Sequence, residues 1–167
     1  TLSQPVVSAM RGFVWRPPTK PPSLVWRLTS RGHGLLTRHA SSCYMIAAMY
    51  KKGTGVAPNP ATAASYFGKA CDAGDADGCL SMGAAYDKGM GVTKNLATAV
   101  SYYVRACNSG NGDGCYNAGI FYHSGNGVAQ NYDLAVGYFR QALAINPNDK
   151  EARADLASAE RHQPAGH

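Results

Sequence analysis

The sequence predicts an all-α protein: an α-solenoid of three 36-residue helix-turn-helix repeats, a C-terminal capping helix and an extended N-terminal arm. Three observations carry this. From Cys43 onward the chain aligns with itself at one fixed period without gaps. Glycine pairs and asparagines recur within that period, where helices must stop and start. In front of Cys43 the composition changes to proline, arginine and tryptophan with no acid.

Residues 1–40 read as an arm outside the core. Pro17-Pro18 and Pro21-Pro22 forbid helix there and favour extended polyproline geometry. Phe13-Val14-Trp15-Arg16 is echoed by Leu24-Val25-Trp26-Arg27. Arg11, Arg16, Arg27, Arg31 and Arg38, with Ser and Thr between them, resemble a mitochondrial targeting segment. The alternative is a basic tail without an address. Residues 1–71 hold nine Lys/Arg and no acid, whereas residues 72–167 hold seven Lys/Arg and ten acids. A front half of one sign points to an anionic partner or to targeting.

The repeat blocks begin at Cys43, Cys79 and Cys115. Tyr50, Tyr86 and Tyr122 coincide, as do Gly53/Gly89/Gly125, Gly55/Gly91/Gly127 and Val56/Val92/Val128. So do Asn59/Asn95/Asn131, Ala63/Ala99/Ala135, Tyr66/Tyr102/Tyr138 and Ala70/Ala106/Ala142. Each block predicts two helices. The first spans about Cys43–Lys51 and its equivalents and ends at the glycines, which adopt left-handed backbone without steric cost. Asn59, Asn95 and Asn131 then serve as N-caps, with Pro60 at the first helical position. Ala63, Tyr66, Phe67 and Ala70 make one apolar face of the second helix. Gly74 and Gly110 close that helix.

The third block ends differently. Leu143 stands where Cys71 and Cys107 stand in the earlier blocks, and Pro147 breaks the chain. Asn148 is the predicted cap of a last helix, with Glu151 at its third position. Ala152, Leu156 and Ala159 share one face of that helix, as a terminal cap requires. The repeat unit is read as residues 41–162 and the remainder, 163–167, as a tail.

The string Gly-Cys-x-x-x-Gly-x-x-Tyr-x-x-Gly-x-Gly-Val at 78–92, followed by Ala-x-x-Tyr-Tyr-x-x-Ala-Cys at 99–107, resembles a Sel-1-like repeat, a relative of the tetratricopeptide repeat. The resemblance covers residues 43–150. With its cysteines, the chain is similar to secreted bacterial cysteine-rich repeat proteins and to a mitochondrial cytochrome c oxidase assembly factor. It implies a scaffold or adaptor whose concave face holds a partner. The arm and Leu143 depart from that pattern.

Five cysteines form two pairs and a remainder. Cys71 and Cys79 are eight apart, as are Cys107 and Cys115, and each pair spans the turn between two repeats. That turn can bring them within the ~4.4–6.8 Å Cα separation a disulfide needs. Two other readings exist: four thiols on zinc, for which the spacing is too wide, and reduced, buried thiols. Cys43 would pair at position 35, which is Leu35, so it is read as a free, mostly buried thiol. Disulfides place the protein in an oxidising compartment.

Other chemistry is excluded residue by residue. Gly-x-Gly-Val occurs three times, lacks the third glycine of a nucleotide loop and follows no strand. His33, His39, His123, His162 and His167 share no metal-ligand spacing, and His123 is read as solvated. Ser65-Tyr66-Phe67-Gly68-Lys69 has one residue too many for Ser-x-x-Lys. No nucleophile, base and orienter set is present. No apolar run approaches a membrane span, so no transmembrane segment is expected. No cofactor and no metal is expected.

These readings converge on a non-catalytic interaction scaffold. Trp15, Arg16, Trp26, Arg27, Arg31 and Arg38 are the candidate partner-binding residues, being of the types that dominate protein interfaces. The expected partners are other protein subunits of a membrane-associated respiratory complex, and the expected place is the intermembrane-space face of the mitochondrial inner membrane. One alternative is a mitochondrial ribosomal or other RNA-associated protein whose basic arm follows phosphates. Another is a secreted bacterial repeat protein with β-lactam-related activity, as its resemblance allows.

Overall fold

A computed structural model describes the backbone of residues 25–162 and the side chains from His39 to His162. Among the described residues there are seven helices and no strand: α1 Val25–Lys52, α2 Pro60–Asp72, α3 Ala76–Lys88, α4 Leu96–Asn108, α5 Gly112–Ser124, α6 Tyr132–Ile145 and α7 Lys150–His162. Each helix packs on the next along the chain. The first helices of successive pairs also meet, α1 with α3, α3 with α5 and α5 with α7, more than the second helices do. The first helices therefore line the more closely spaced side of the stack. Among the described residues no helix is long and apolar enough to cross a membrane.

Local chemistry sets the helix ends. Asn59, Asn95 and Asn131 each accept a hydrogen bond from the backbone N–H three residues on, at 3.0, 3.0 and 2.9 Å. Gly89 and Gly125 close α3 and α5 at φ 70° and 72°, donating their N–H groups to the Ala85 and Phe121 carbonyls.

Four helix starts differ from the sequence reading. The first repeat's helix begins at Val25 rather than near Cys43, so residues 25–40 are not extended arm. No proline lies between Pro22 and Pro58, so nothing removes a helical donor across that stretch. The helices at Cys79 and Cys115 start three residues earlier, because Asp75 and Asn111 cap the N–H groups of Gly78 and Gly114 at 2.7 and 2.8 Å. The cap of α7 is Asp149, not Asn148. Its carboxylate accepts from the N–H groups of Glu151 and Ala152, both at 3.0 Å, and is one residue closer to the helix.

Packing sets small residues against rings. Position 47 and its equivalents are Ala47, Gly83 and Gly119, facing Phe67, Tyr103 and Phe139 from the paired helix. A methyl group on Gly83 would lie 2.7 Å from the Tyr103 ring, and one on Gly119 would lie 2.6 Å from the Phe139 ring. The ring takes the volume that a side chain would fill, and the two backbones come close. Beside this contact each repeat stacks two tyrosines: Tyr50 on Tyr66, Tyr86 on Tyr102 and Tyr122 on Tyr138, with interplanar angles of 7°, 14° and 11°.

This packing separates two classes of helical glycine. A methyl group on Gly68 or Gly137 would meet nothing within 4 Å. Gly68→Ala and Gly137→Ala should each raise stability by about 0.5–1 kcal/mol, the ordinary helical gain. Gly83→Ala and Gly119→Ala should lower it by about 1–3 kcal/mol through overpacking. Urea unfolding followed by circular dichroism reads both signs.

Candidate functional site

The joints between repeats are where the sequence-predicted cysteines meet. Cys71 ends α2 and Cys79 lies in the first turn of α3; they form a disulfide with Cα atoms 4.5 Å apart. Cys107 and Cys115 do the same between α4 and α5, at 4.4 Å. Gly74 and Gly110, at φ 90° and 88°, reverse the chain within each bridge. The helices approach so closely that a methyl group on Gly78 would lie 2.7 Å from the Ala70 Cβ, and one on Gly114 2.6 Å from the Ala106 Cβ. All four sulfur-bearing residues are at most 5% exposed. Closing a loop this short contributes about 2.5 kcal/mol in the chain-entropy account.

Polar groups repeat this lateral tie on the surface. The Arg105 guanidinium donates to the Asp72 carboxylate at 2.8 Å and to the Cys71 carbonyl at 3.4 Å, and it lies over the Tyr102 ring. The Asn111 amide donates to the Asp77 carboxylate at 2.7 Å. Both Arg105 and Asp72 are exposed, so this ion pair orients more than it stabilises. At the last joint no third bridge exists. Leu143 instead packs its side chain against the cluster of Cys107, Cys115, Ala142 and Ala152.

The other predicted residues fall as follows. Cys43 is a free cysteine and only half-buried, less enclosed than its sequence context implied. Trp26, Arg27, Arg31 and Arg38 lie on α1, in the part described by its backbone alone. Trp15 and Arg16 lie outside the described residues. His123 departs from its solvated reading. Its Nε2 is buried without a hydrogen-bond partner, and its ring meets Tyr132 and His162 edge-on at 5.4 and 6.1 Å. Tyr132 and the end of α7 enclose it, and neither was evident from its place in the repeat. Among the described residues no group of three or more His, Cys, Asp or Glu could hold a metal ion.

Burial holds Tyr103, Tyr116 and Tyr138 protonated, and the first two have carboxylates beside them. Burial, helped by the Asp87 carboxylate, pushes Tyr103 up to about 12. Burial also raises Tyr116, whose hydroxyl donates to the Asp155 carboxylate at 2.9 Å and so ties α5 to α7. None of the three is poised to act as a base near neutrality.

Two surface features were not read from the sequence. Met45, Ile46 and Met49 of α1 are 66%, 36% and 40% exposed. The residues equivalent to Ile46 and Met49 in the next repeats, Met82, Ala118, Ala85 and Phe121, are buried against the preceding second helix. The second feature is a cavity of about 280 Å3 at the first joint, between α2 and α3.

A stack of helical hairpins, bridged by disulfides at two of its joints, defines a helical-repeat protein. Three consecutive stretches, residues 40–75, 76–111 and 112–146, match the Sel1 repeat, and the chain belongs to that family. Sel1 repeat proteins are typically protein-interaction scaffolds, and their fold is generally non-catalytic. A Sel1 repeat protein from Oxalobacter formigenes is 29% identical with a TM-score of 0.68, over 71% of this chain and 48% of that protein. The chain thus spans about half of that relative's length. Helicobacter pylori cysteine rich protein B is 28% identical with a TM-score of 0.56, over 70% of this chain and 88% of that one. No curated protein sequence matches the chain.

Thiol counting tests the joints. The folded protein, denatured without reductant, should take up one alkylating group, and the reduced protein five, by intact mass. Reduction should then lower the urea midpoint, each bridge costing about 2.5 kcal/mol.

Proposed function

We propose that the protein is a non-catalytic scaffold that holds other protein subunits, and that it serves a mitochondrial respiratory-chain complex from the intermembrane-space side as accessory subunit or assembly factor. The observation that carries this reading is the pair of buried disulfides at the joints of a Sel1 solenoid. Such bonds persist where the surroundings are oxidising. An arginine-containing front half without a single acid resembles a mitochondrial address, and the intermembrane space joins that address to an oxidising compartment. Trp15, Arg16, Trp26, Arg27, Arg31 and Arg38 supply anchors of the type that dominate protein interfaces. The disulfides also weigh against an RNA-bound role in the reducing matrix.

A second reading is a secreted bacterial scaffold. Its support is the similarity to the Helicobacter pylori cysteine rich protein, over most of that protein's length.

The test is the size of the native protein in a mild-detergent extract, with co-migrating proteins identified by mass spectrometry. Co-migration with inner-membrane respiratory subunits is the expected result. Migration of the protein alone, with no respiratory subunit beside it, overturns the respiratory assignment. Recovery from a bacterial culture medium favours the second reading.

A further inference from the structure

The three repeats are alike in sequence, so a place where one joint is empty and the next is filled is informative. At the second joint Phe121 of α5 reaches back to the preceding second helix, and its ring meets Tyr103 at 5.6 Å. At the first joint the equivalent residue is Ala85, and the equivalent of Tyr103 is Phe67. Ala64 stands there in place of Val100, and Pro60 in place of Leu96. All four, Ala85, Phe67, Ala64 and Pro60, line the cavity of about 280 Å3. The first joint thus keeps the aromatic floor of the second, met from α1 by the Tyr44 ring at 5.5 Å, and lacks the ring that Phe121 supplies from the following helix.

The mouth of this cavity carries its own sign. Lys51 lines it, with its Nζ 6.0 Å from the centre of the Phe67 ring. No carboxylate pairs with Lys51 among the described residues, and Lys52 beside it is exposed. At the second joint the residue equivalent to Lys51 is Asp87. Met90, 38% exposed, forms the flexible lip where Asn126 stands in the next repeat. The volume falls just below the ~300–1,000 Å3 of small-molecule sites and suits one bulky side chain.

We propose that this cavity receives one aromatic side chain, flanked by a carboxylate, from a segment of a partner protein. The ring takes the place that Phe121 fills at the next joint and stacks on Phe67. The carboxylate meets Lys51. The inference rests on the scaffold reading above and gives its partner a chemistry: an aromatic residue next to an acid. Aromatic anchors seated in enclosed pockets carry much of the energy of protein interfaces.

The probe is N-acetyl-L-phenylalanine, with its uncharged amide as the control, titrated into the full chain and followed by methyl resonances. Saturable shifts at Ala63, Ala64 and Ala85 are expected. Ala85→Phe closes the cavity with the residue the next repeat already accommodates. It should weaken binding by at least about tenfold while the melting temperature holds or rises. Lys51→Gln should reduce the affinity of the acid to that of the amide and leave the amide unchanged. If Ala85→Phe does not fold, Ala64→Val narrows the same cavity with the side chain of Val100 and must also weaken binding. No saturable shifts in the wild type, or undiminished binding by either folded variant, overturns the proposal. That outcome leaves the scaffold reading standing. Migration of the native protein alone removes the respiratory setting whatever the probe does.

Discussion

The rest of the structure depends on how closely neighbouring helices approach. Within a repeat, Gly83 and Gly119 give up their side-chain volume to the rings of Tyr103 and Phe139. Between repeats, Gly78 and Gly114 let the next helix settle on Ala70 and Ala106. Gly91 and Gly127 do the same for the loops, which lie against the first turns of α2 and α4, where a methyl group would overlap the Pro60 and Leu96 backbones. Close approach brings Cys71 to Cys79 and Cys107 to Cys115, fixes the stacking of the tyrosine pairs and decides where space is left over. The disulfides follow from this spacing and then preserve it.

Such a stack has no single centre. Its buried residues divide into several small clusters, each shared by adjacent helices, and few of its buried side chains are large. A solenoid of this kind is stabilised by nearest-neighbour interfaces. Three repeats make few interfaces, so a covalent tie at two of them is a sizeable share of a domain's total stability of about 5–15 kcal/mol. The ends are treated unequally. Leu143 and the Asp149-capped α7 finish one end with Ala152 and Ala159 fully buried. In the first repeat Ile46 and Met49 are exposed, on a face that later repeats bury.

Much of this was legible because the period repeats its signals three times. Asn59, Asn95 and Asn131 announce the second helices, and the glycines after Tyr50, Tyr86 and Tyr122 announce the stops. The same redundancy makes the eight-residue cysteine spacing meaningful. What the sequence hid lies in differences between equivalent positions. Asp75 and Asn111 are caps of unlike chemistry at one position, so neither stands out, and the first helices begin earlier than the cysteines that mark them. Asp149 and Asn148 are both good caps, and only the hydrogen bonds separate them. His123 is enclosed by Tyr132 and His162, one of them from a helix outside the repeat. The cavity exists because Ala85 is small where Phe121 is large, a contrast that means nothing until both positions are known to face a preceding helix.

Each of the two disulfide-bridged joints acts as an independent local lock. Hydrogen exchange by mass spectrometry on a variant carrying Cys71→Ser and Cys79→Ser tests it most directly. The account predicts that protection falls in the end of α2 and the start of α3, while α5, α6 and α7 keep theirs. A uniform loss across the described helices would contradict the account, as would no loss at the first joint.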